Sequence, residues 1–232
     1  MVKRSKSINN SMTVRIDDLL QFDPVTLNQE KTYKAWDDGY NLVLTGTAGT
    51  GKTFTALYLA LEDVLDKDTE FDQVVVIRSM VPTREMGYLP GDKEAKEEAF
   101  TTPYKSICCE LFGDKNSYGK LVTAKQLQFE STSFIRGTTF DNSIIIVDEM
   151  QNLNFHELDS VITRVGRHSK IIFSGDYKQS DFKYDDDKNG IISFLQIVEQ
   201  LKNFTIINFG WEDIVRSDFV RDYIMTKEML GY

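Results

Sequence analysis

The pattern with the clearest chemical meaning is a glycine-rich run of eight residues, G-x-x-x-x-G-K-[ST], in the first quarter of the chain. In such a loop the glycines let the backbone approach phosphate groups, and the N–H groups point towards the bound anion. The lysine bridges the outer phosphates, and the hydroxyl after it ligates Mg²⁺. The residues are Gly46, Thr47, Ala48, Gly49, Thr50, Gly51, Lys52 and Thr53. The run predicts a nucleotide site, and the competing interpretation is a tight strand-to-helix turn without a ligand.

Two adjacent acids, Asp148 and Glu149, follow the apolar run at residues 144–147. Side chains alternate along a strand, so the two carboxylates should face different directions and take different roles. Asp148 fits a residue that holds Mg²⁺ through water, and Glu149 fits a general base that orients and deprotonates the attacking water. The alternative is a pair of solvated acids at an exposed strand end.

A third polar segment, Ser174-Gly175-Asp176, follows the run at residues 170–173 and continues to Gln179. Ligands of parallel α/β sheets gather at the carboxyl edge of the strands, so this segment should point towards the outermost phosphate. Gln179 could hydrogen-bond both a phosphate oxygen and the lytic water. A plain Gly-Asp turn is the alternative.

The elements that must position these residues follow from the apolar patterns. Residues 41–45, 73–79, 143–148 and 170–174 are predicted strands that are apolar on both faces, which is typical of a parallel sheet covered by helices. Residues 52–65 and 155–165 are predicted helices, the second with Asn154 as its N-cap. A further apolar segment at 204–209 precedes a final predicted helix from about 212 to 230. The alternation predicts an α/β three-layer sandwich with a mainly parallel sheet.

Composition narrows the class of protein. The chain has 232 residues, 27 of them basic and 36 acidic, which gives a formal net charge of −9. At 41% hydrophobic, wholesale disorder is excluded. We expect no transmembrane helix, no export signal and therefore a cytoplasmic location, in a bacterium or a phage-infected host. The adjacent Cys108 and Cys109 suit neither a disulfide framework nor a metal site. Residues 1–25, basic at their start, are predicted to form an arm, and residues 26–232 a single domain.

Several blocks occur in a fixed order along the chain. They are GTAGTGKT at 46–53, Arg78 followed by Pro82, GYLPGD at 87–92, RG at 136–137, IIIVDEMQN at 144–152 and SGDYKQSD at 174–181. Together they resemble the PhoH-like ATPases, P-loop proteins related to the RecA-like domains of superfamily 1 helicases. The resemblance covers about residues 26–223 and is to the short, phage-type form. It implies a RecA-like fold, ATP and Mg²⁺ as ligands, and ATP hydrolysis.

The resemblance also implies roles for two residues outside the phosphate loop and the acids. Residues 26–29, TLNQ, are similar to the helicase Q motif, in which Gln29 would read adenine and so favour ATP. The alternative is an exposed glutamine at the start of a helix. Residues 213–216, DIVR, look like the final helicase-like motif, which makes Arg216 a candidate arginine finger. An ordinary surface arginine on a helix is the alternative.

Chain length bears on how the site is completed. A superfamily 1 helicase closes its ATP site between two RecA-like domains of about 150 residues each, and this chain is long enough for one. We therefore expect a homo-oligomer, with a hexameric ring as the expected form, in which a neighbour supplies Arg216 or, as second choice, Arg136 in trans. Binding or unwinding of single-stranded RNA or DNA is implied by the resemblance alone. The competing functions are an ATP-binding conformational switch and a small-molecule kinase.

Overall fold

The computed structural model describes residues 14–79, 93–176 and 185–231. Its centre is a six-stranded sheet in which every pair of neighbouring strands is parallel, in the order β3-β2-β4-β5-β1-β6. The strands are β1 (Asn41–Gly46), β2 (Gln73–Arg78), β3 (Leu127–Ser131), β4 (Ser143–Val147), β5 (Lys170–Gly175) and β6 (Phe204–Phe209). The sheet confirms the predicted α/β class.

Seven helices surround this sheet within the described part of the chain. They are α1 (Leu27–Asp37), α2 (Lys52–Leu65), α3 (Lys93–Phe112), α4 (Ser117–Thr123), α5 (Phe155–Ile162), α6 (Asp185–Val198) and α7 (Asp218–Met229). The N-cap prediction for α5 is confirmed, because the Asn154 side chain accepts a hydrogen bond from the Glu157 backbone N–H at 3.0 Å. Among the described residues no helix is long and apolar enough to cross a membrane.

The apolar strands divide their side chains between two cores, one on each face of the sheet. Along β1, for example, Leu42 and Leu44 face one core and Val43 faces the other. The first core includes side chains from α1, α2, α3 and α4, and the second includes side chains from α5 and α6. Because both faces are covered, each central strand reads as a continuous apolar run, and the polar residues that follow it collect at the edge of the sheet.

The order of the strands decides which polar residues become neighbours. β5 lies between β1, which leads into the glycine-rich loop, and β4, which leads into the two acids. The segment Ser174-Gly175-Asp176 therefore enters the space between the loop and the acids. The three polar signals of the sequence thus meet at one edge, as their positions after the strands predict.

One predicted element boundary needs correction, and two features of the fold stand outside the predictions. β3 does not stand out in the sequence, because Leu127–Ser131 is a short, partly polar edge strand with only its two end residues buried. The predicted helix at 212–230 begins only at Asp218; Trp211–Asp213 forms a 3₁₀ turn, and the Val215 N–H donates to the Gly49 carbonyl at 3.0 Å. The packed region also begins before Thr26, since Val14 is buried in the first core.

Candidate functional site

The glycine-rich loop has a backbone shape that only glycine allows at its first position. Gly46 has φ +113°, and a Cβ there would overlap the carbonyl oxygen of Phe209 in β6. Gly51 has φ +83° and is the N-cap of α2, so the helix begins at Lys52 with its free N–H groups directed towards the loop. The loop therefore presents main-chain donors and the positive end of a helix dipole to one point.

The Lys52 side chain folds back and hydrogen-bonds to the backbone of the glycine-rich loop. Its Nζ donates to the carbonyl oxygens of Gly46 and Thr47, at 2.7 Å each, and lies 3.3 Å from the Thr50 hydroxyl. Burial lowers the pKa of Lys52 below its usual value, while nearby carboxylates, Asp176 first among them, oppose that shift. A positive charge is thus held beside several acids in a buried site, where electrostatic interactions are strong.

Asp148 is fixed by two hydroxyl donors, one on each carboxylate oxygen. Thr53 donates to Oδ1 and Tyr104 donates to Oδ2, both at 2.8 Å. Asp148 is 4% exposed, and burial together with the charge of Glu149 raises its pKa, although both hydrogen bonds oppose the rise. Burial and the Asp148 charge raise the pKa of Tyr104 well above its usual value, so the phenol stays protonated and donates. Thr53 and Asp148, the two predicted magnesium ligands, therefore lie side by side.

Glu149 has an unusual backbone and a clear orienting partner. It follows β4 in the left-handed region, with φ 52° and ψ 45°, a conformation that costs energy for a residue other than glycine and recurs at functional sites. Gln151 Nε2 donates to its Oε2 at 2.5 Å, and Gln151 Oε1 accepts the Asp176 backbone N–H at 3.1 Å. The Gln151 amide thus connects the base candidate to the end of β5. No sequence pattern singles out Gln151 for this role.

Gln29 lies against the phosphate loop rather than in solvent. It is 7% exposed on the first turn of α1, so the alternative of an exposed glutamine is wrong. Its Nε2 donates to the Thr50 carbonyl at 3.1 Å, and its Oε1 accepts the Val25 N–H at 2.9 Å. One N–H of the amide and one lone pair of its oxygen have capacity for a further hydrogen bond.

The segment at 213–216 fastens the C-terminal part of the chain to the loop of the same chain. Asp213 is fully buried and accepts hydrogen bonds from Asn28 Nδ2 at 2.7 Å and from the Gly210 N–H at 2.9 Å. Burial alone would raise the pKa of Asp213, but its hydrogen bonds outweigh that effect and lower it. Arg216 follows before α7 begins, and its Cγ would lie 3.0 Å from a Cβ placed on Gly49.

Arg216, expected from the sequence to serve a neighbouring subunit, lies close to the loop of its own chain. The side chain lines the cavity beside the loop of its own chain. Arg216 precedes α7 and so does not stand on a helix, but it is exposed, as the alternative of a surface arginine expects. Arg136, in contrast, is exposed in the loop after β3 and does not line this cavity. Gln179 and the 87–92 block lie outside the described residues.

A second contact between the C-terminal part of the chain and the loop is made by α7, and no sequence motif predicts it. Glu228 Oε2 accepts a hydrogen bond from Trp211 Nε1 at 2.6 Å and lies 3.4 Å from the Thr47 hydroxyl. Ile224, one turn earlier, would lie 3.5 Å from a Cβ on Gly49. Thr47 and Glu228 are 181 positions apart in sequence, a separation that no local pattern reports.

The loop from Ala48 onwards, the two acids and the side chains of Gln29, Gln151 and Arg216 open onto one cavity of about 680 Å³. That volume is in the range of small-molecule and cofactor sites. Its wall combines polar groups of the loop and the acids with apolar and aromatic side chains from the N-terminal segment and α1. The lining includes Phe22, Asp23, Val25, Gln29, Tyr33, residues 48–55, Asp148, Glu149, Gln151, Ser174, Asp176 and Arg216.

Comparison with known proteins decides the family. The model of a family described as "PhoH-like protein" matches residues 21–227. This chain belongs to the PhoH-like family. Membership confirms the resemblance read from the sequence blocks, and the matched range contains nearly every residue described above at the site.

Curated PhoH-like relatives are longer than this chain. It is 37% identical over 166 residues to Protein PhoH2 of Bacillus subtilis, covering 69% of this chain and 37% of that protein. It is 30% identical over 204 residues to a PhoH-like protein of Synechocystis, covering 88% of this chain and 61% of the relative. The chain thus spans between about a third and two thirds of the length of these relatives.

Among solved structures, the large terminase of a thermophilic bacteriophage, in complex with ADP, is similar in fold. The TM-score is 0.52 at 15% identity, covering 89% of this chain and 50% of the terminase. Similarity at this level of identity shows the fold alone. Together with family membership, it identifies the sheet and its helices as a RecA-like P-loop NTPase domain.

Proposed function

We propose that this PhoH-like chain binds ATP with Mg²⁺ and hydrolyses it to ADP and phosphate. The observation that supports this most directly is the convergence of Lys52, Asp148 and Glu149 from separate segments at one cavity beside the glycine-rich loop. A loop that only binds phosphate does not require a buried aspartate such as Asp148 for a metal ion, nor a second acid such as Glu149 next to it. The arrangement matches the requirements of phosphoryl transfer to water.

The described residues fit a nucleotide and its metal ion. Positive φ angles at Gly46, Gly49 and Gly51 open a cradle of backbone N–H groups, and a Cβ on Gly46 would collide with β6. Thr53 Oγ1 and Asp148 Oδ1, 2.8 Å apart, are hard oxygen donors of the kind that Mg²⁺ prefers; Thr53 would hold the ion directly and Asp148 would hold it through water. When bound, the ion neutralises phosphate charge and helps to align the reacting groups.

Each side chain at the site then has a specific task. Lys52 exchanges its loop carbonyl partners for the outer phosphate oxygens and carries positive charge to them. Glu149, oriented by Gln151, accepts the proton of a water that attacks the γ-phosphorus in line. Gln29 uses its remaining N–H and lone pair on the adenine edge, which favours ATP over GTP. Gln179 as the γ-phosphate sensor stays a prediction.

Arg216 is proposed to act in cis. It stands at the loop of its own chain, where a guanidinium can stabilise the charge that spreads over the transferring phosphoryl group. Arg136 remains the proposed residue for an action in trans, since it is exposed and stands outside the cavity.

The decisive experiment compares wild type with Glu149→Gln. We expect the variant to bind ATP with Mg²⁺ normally and to hydrolyse it about 10²- to 10⁴-fold more slowly, because the base is lost while the shape of the side chain is kept. Glu199→Gln, at an exposed acid after α6, serves as the matched control and should hydrolyse ATP at the wild-type rate.

Two other results would decide for the competing functions. Equal and negligible hydrolysis in wild type and Glu149→Gln, with tight ATP binding, would indicate a conformational switch. Transfer of the γ-phosphate to an added metabolite, rather than to water, would indicate a small-molecule kinase. Absence of ATP and Mg²⁺ binding in well-folded wild type would overturn the whole proposal.

Self-assembly and work on nucleic acid are further parts of the proposal. Apolar side chains on and after α7 stand in solvent beside the site, with Phe219 81%, Tyr223 64% and Leu230 67% exposed, which supports burial against a second copy of the chain.

Coupling to single-stranded RNA or DNA is supported by membership of the family. Stimulation of the ATPase by either polymer at low salt tests the coupling, and light scattering on the same samples gives the subunit number.

A further inference from the structure

Tyr104, in the middle of α3, contacts the predicted metal-binding aspartate directly although no sequence motif includes it. We propose that Tyr104 is a positioning residue that holds the Asp148 carboxylate in the orientation needed for Mg²⁺. The inference rests on the proposed function, and it adds a residue and a helix to that site. Its basis is the hydrogen bond of 2.8 Å from the phenol to Asp148 Oδ2.

The two oxygens of Asp148 have partners with different tasks. Thr53, which donates to Oδ1, would itself hold Mg²⁺ in the proposed site, so its hydroxyl would be shared with the ion. Tyr104, whose side chain also has a hydrogen bond with Arg78, would not hold the ion and is free to keep its bond to Oδ2. A carboxylate with one oxygen fixed presents the other in a set direction, which is what octahedral coordination of a small ion requires.

Burial makes the Tyr104 contact strong and hard to replace. The tyrosine is 1% exposed and Asp148 is 4% exposed, so no bulk water can take over the hydrogen bond if the phenol is lost. A hydrogen bond to a charged group in such surroundings contributes more than one at the surface. Asp148 without Tyr104 would keep only one protein donor among the contacts described for its carboxylate.

Arg78 completes the environment of the pair from the end of β2. Its guanidinium lies 5.8 Å from the ring centre of Phe100, which is one helical turn before Tyr104. The Arg78 side chain also has a hydrogen bond with Tyr104 itself. Two residues on one face of α3 are therefore tied to the strand ends beside the metal site, and the orientation of Asp148 depends on the position of that helix.

The test is Tyr104→Phe, which removes one oxygen and keeps the ring. We expect the Mg²⁺ concentration that half-saturates nucleotide binding to rise about tenfold, because a hydrogen bond to a buried charged group is lost. Binding of a fluorescent ADP analogue in EDTA should change less than about twofold. Electron paramagnetic resonance of Mn²⁺ with ADP gives a readout of the metal site that is independent of turnover.

Tyr58→Phe is the matched control. Tyr58 is also buried, at 3% exposure, and its hydroxyl also donates to a carboxylate, Glu62 Oε1 at 2.9 Å, which lies one turn further along α2 and is not part of the proposed metal site. Removing its oxygen should leave the Mg²⁺ dependence at the wild-type value. Thermal unfolding of both variants reports any loss of packing.

A double-mutant comparison separates positioning from a merely structural role. In an Asp148→Asn background, Tyr104→Phe should cause no further weakening of nucleotide binding with Mg²⁺, since its effect passes through the carboxylate. An unchanged Mg²⁺ half-saturation in Tyr104→Phe, or equal weakening with and without Mg²⁺, would overturn the inference. Failure of wild type itself to bind nucleotide with Mg²⁺ would instead overturn the proposed function.

Discussion

Lys170 and Lys52 lie at opposite ends of the parallel strands, and both are at least partly buried. They differ in the groups that surround the charged amine. Lys170 begins β5; its Nζ donates to the Trp36 carbonyl at 3.0 Å and lies 3.3 Å from the centre of that indole ring. Lys52 follows the carboxyl end of β1, where its Nζ also donates to backbone carbonyls. Burial lowers the pKa of both lysines. The shared shift shows that loss of solvent around a charge does not by itself identify a functional site.

The difference lies in the partners and in access. The partners of Lys52 belong to a glycine-rich loop that opens onto a cavity, so they can be exchanged for a ligand. Lys170 does not line that cavity, and its partner Trp36 lies in the packed helix α1. Lys170 therefore stabilises a helix on the sheet, whereas Lys52 is available for chemistry.

Arg216→Ala should have the largest effect, although Arg216 is exposed. Loss of a guanidinium that stabilises the transition state lowers the ATPase rate by about 10³-fold or more. Such a result would show that, for the ATPase rate, the position of a basic residue at the carboxyl ends of the strands matters more than its burial. Arg221→Ala is the control on α7, where Arg221 pairs at the surface with Asp218 at 3.2 Å.

Mixing chains tests whether Arg216 acts in cis. Arg216→Ala chains and Glu149→Gln chains each lack one part of the site. When the parts must come from the same chain, the mixture stays as slow as the separate variants. Recovery of hydrolysis in the mixture would show that the arginine reaches a neighbour's site, and would contradict the cis assignment.

The same substitution at both lysines tests the comparison itself. Lys52→Met should lower the ATPase rate by about 10²- to 10³-fold, as expected when a preorganised positive group is removed from the reacting phosphates. Lys170→Met should change the rate less than about twofold, because its partners lie at the other edge of the sheet. Comparable losses of activity in the two variants, with both folded, would end the distinction.

The smallest expected effect is a change in how stability depends on pH. Burial lowers the pKa of Lys170 to about 8 from its usual 10.5, so between these values the unfolded chain binds more protons than the folded one. The contribution of Lys170 to the free energy of unfolding therefore rises with pH across this window. Lys170→Met should lack that rise when urea unfolding is compared at about pH 8 and about pH 9.5.

The upper limit of that measurement is set by tyrosines. Burial raises the pKa of Tyr58 to about 12, so above about pH 10 the unfolded chain loses a proton that the folded chain keeps, and stability falls. A slope between about pH 8 and pH 9.5 that is equal in wild type and Lys170→Met would contradict the assignment to Lys170.

The parts of the site that are encoded locally could be predicted from the sequence. Glycine spacing fixes the loop, and apolar runs fix the strands that place Asp148 and Glu149, so these residues stand out from the sequence alone. Tyr104 has the sequence signal of an ordinary core aromatic, because its hydroxyl meets Asp148 across 44 positions of sequence. Glu228 and Trp211 could not be predicted for a similar reason. Neither belongs to a sequence motif, and Glu228 contacts Thr47 across 181 positions of sequence.

The start of the last helix shows why boundaries are harder to predict than sites. The helical pattern at 212–230 is interrupted because Asp213 is drawn into a buried hydrogen-bond set with Asn28 and Gly210. That tertiary contact outweighs the local preference for helix and leaves Val215 and Arg216 outside any helix, against the loop. The departure from the local pattern therefore occurs where Arg216 lines the cavity.

The glycine-rich loop is contacted by α1, before it in sequence, and by the segment around α7, far after it, which has a consequence for biosynthesis. Gln29 arrives early during translation, but Val215, Arg216 and Glu228 emerge from the ribosome only after nearly all of the domain has been made. The glycine-rich loop therefore gains its full set of contacts last. A nascent chain that has completed β1 and α2 therefore still lacks the contacts that Val215 and Glu228 make with the loop.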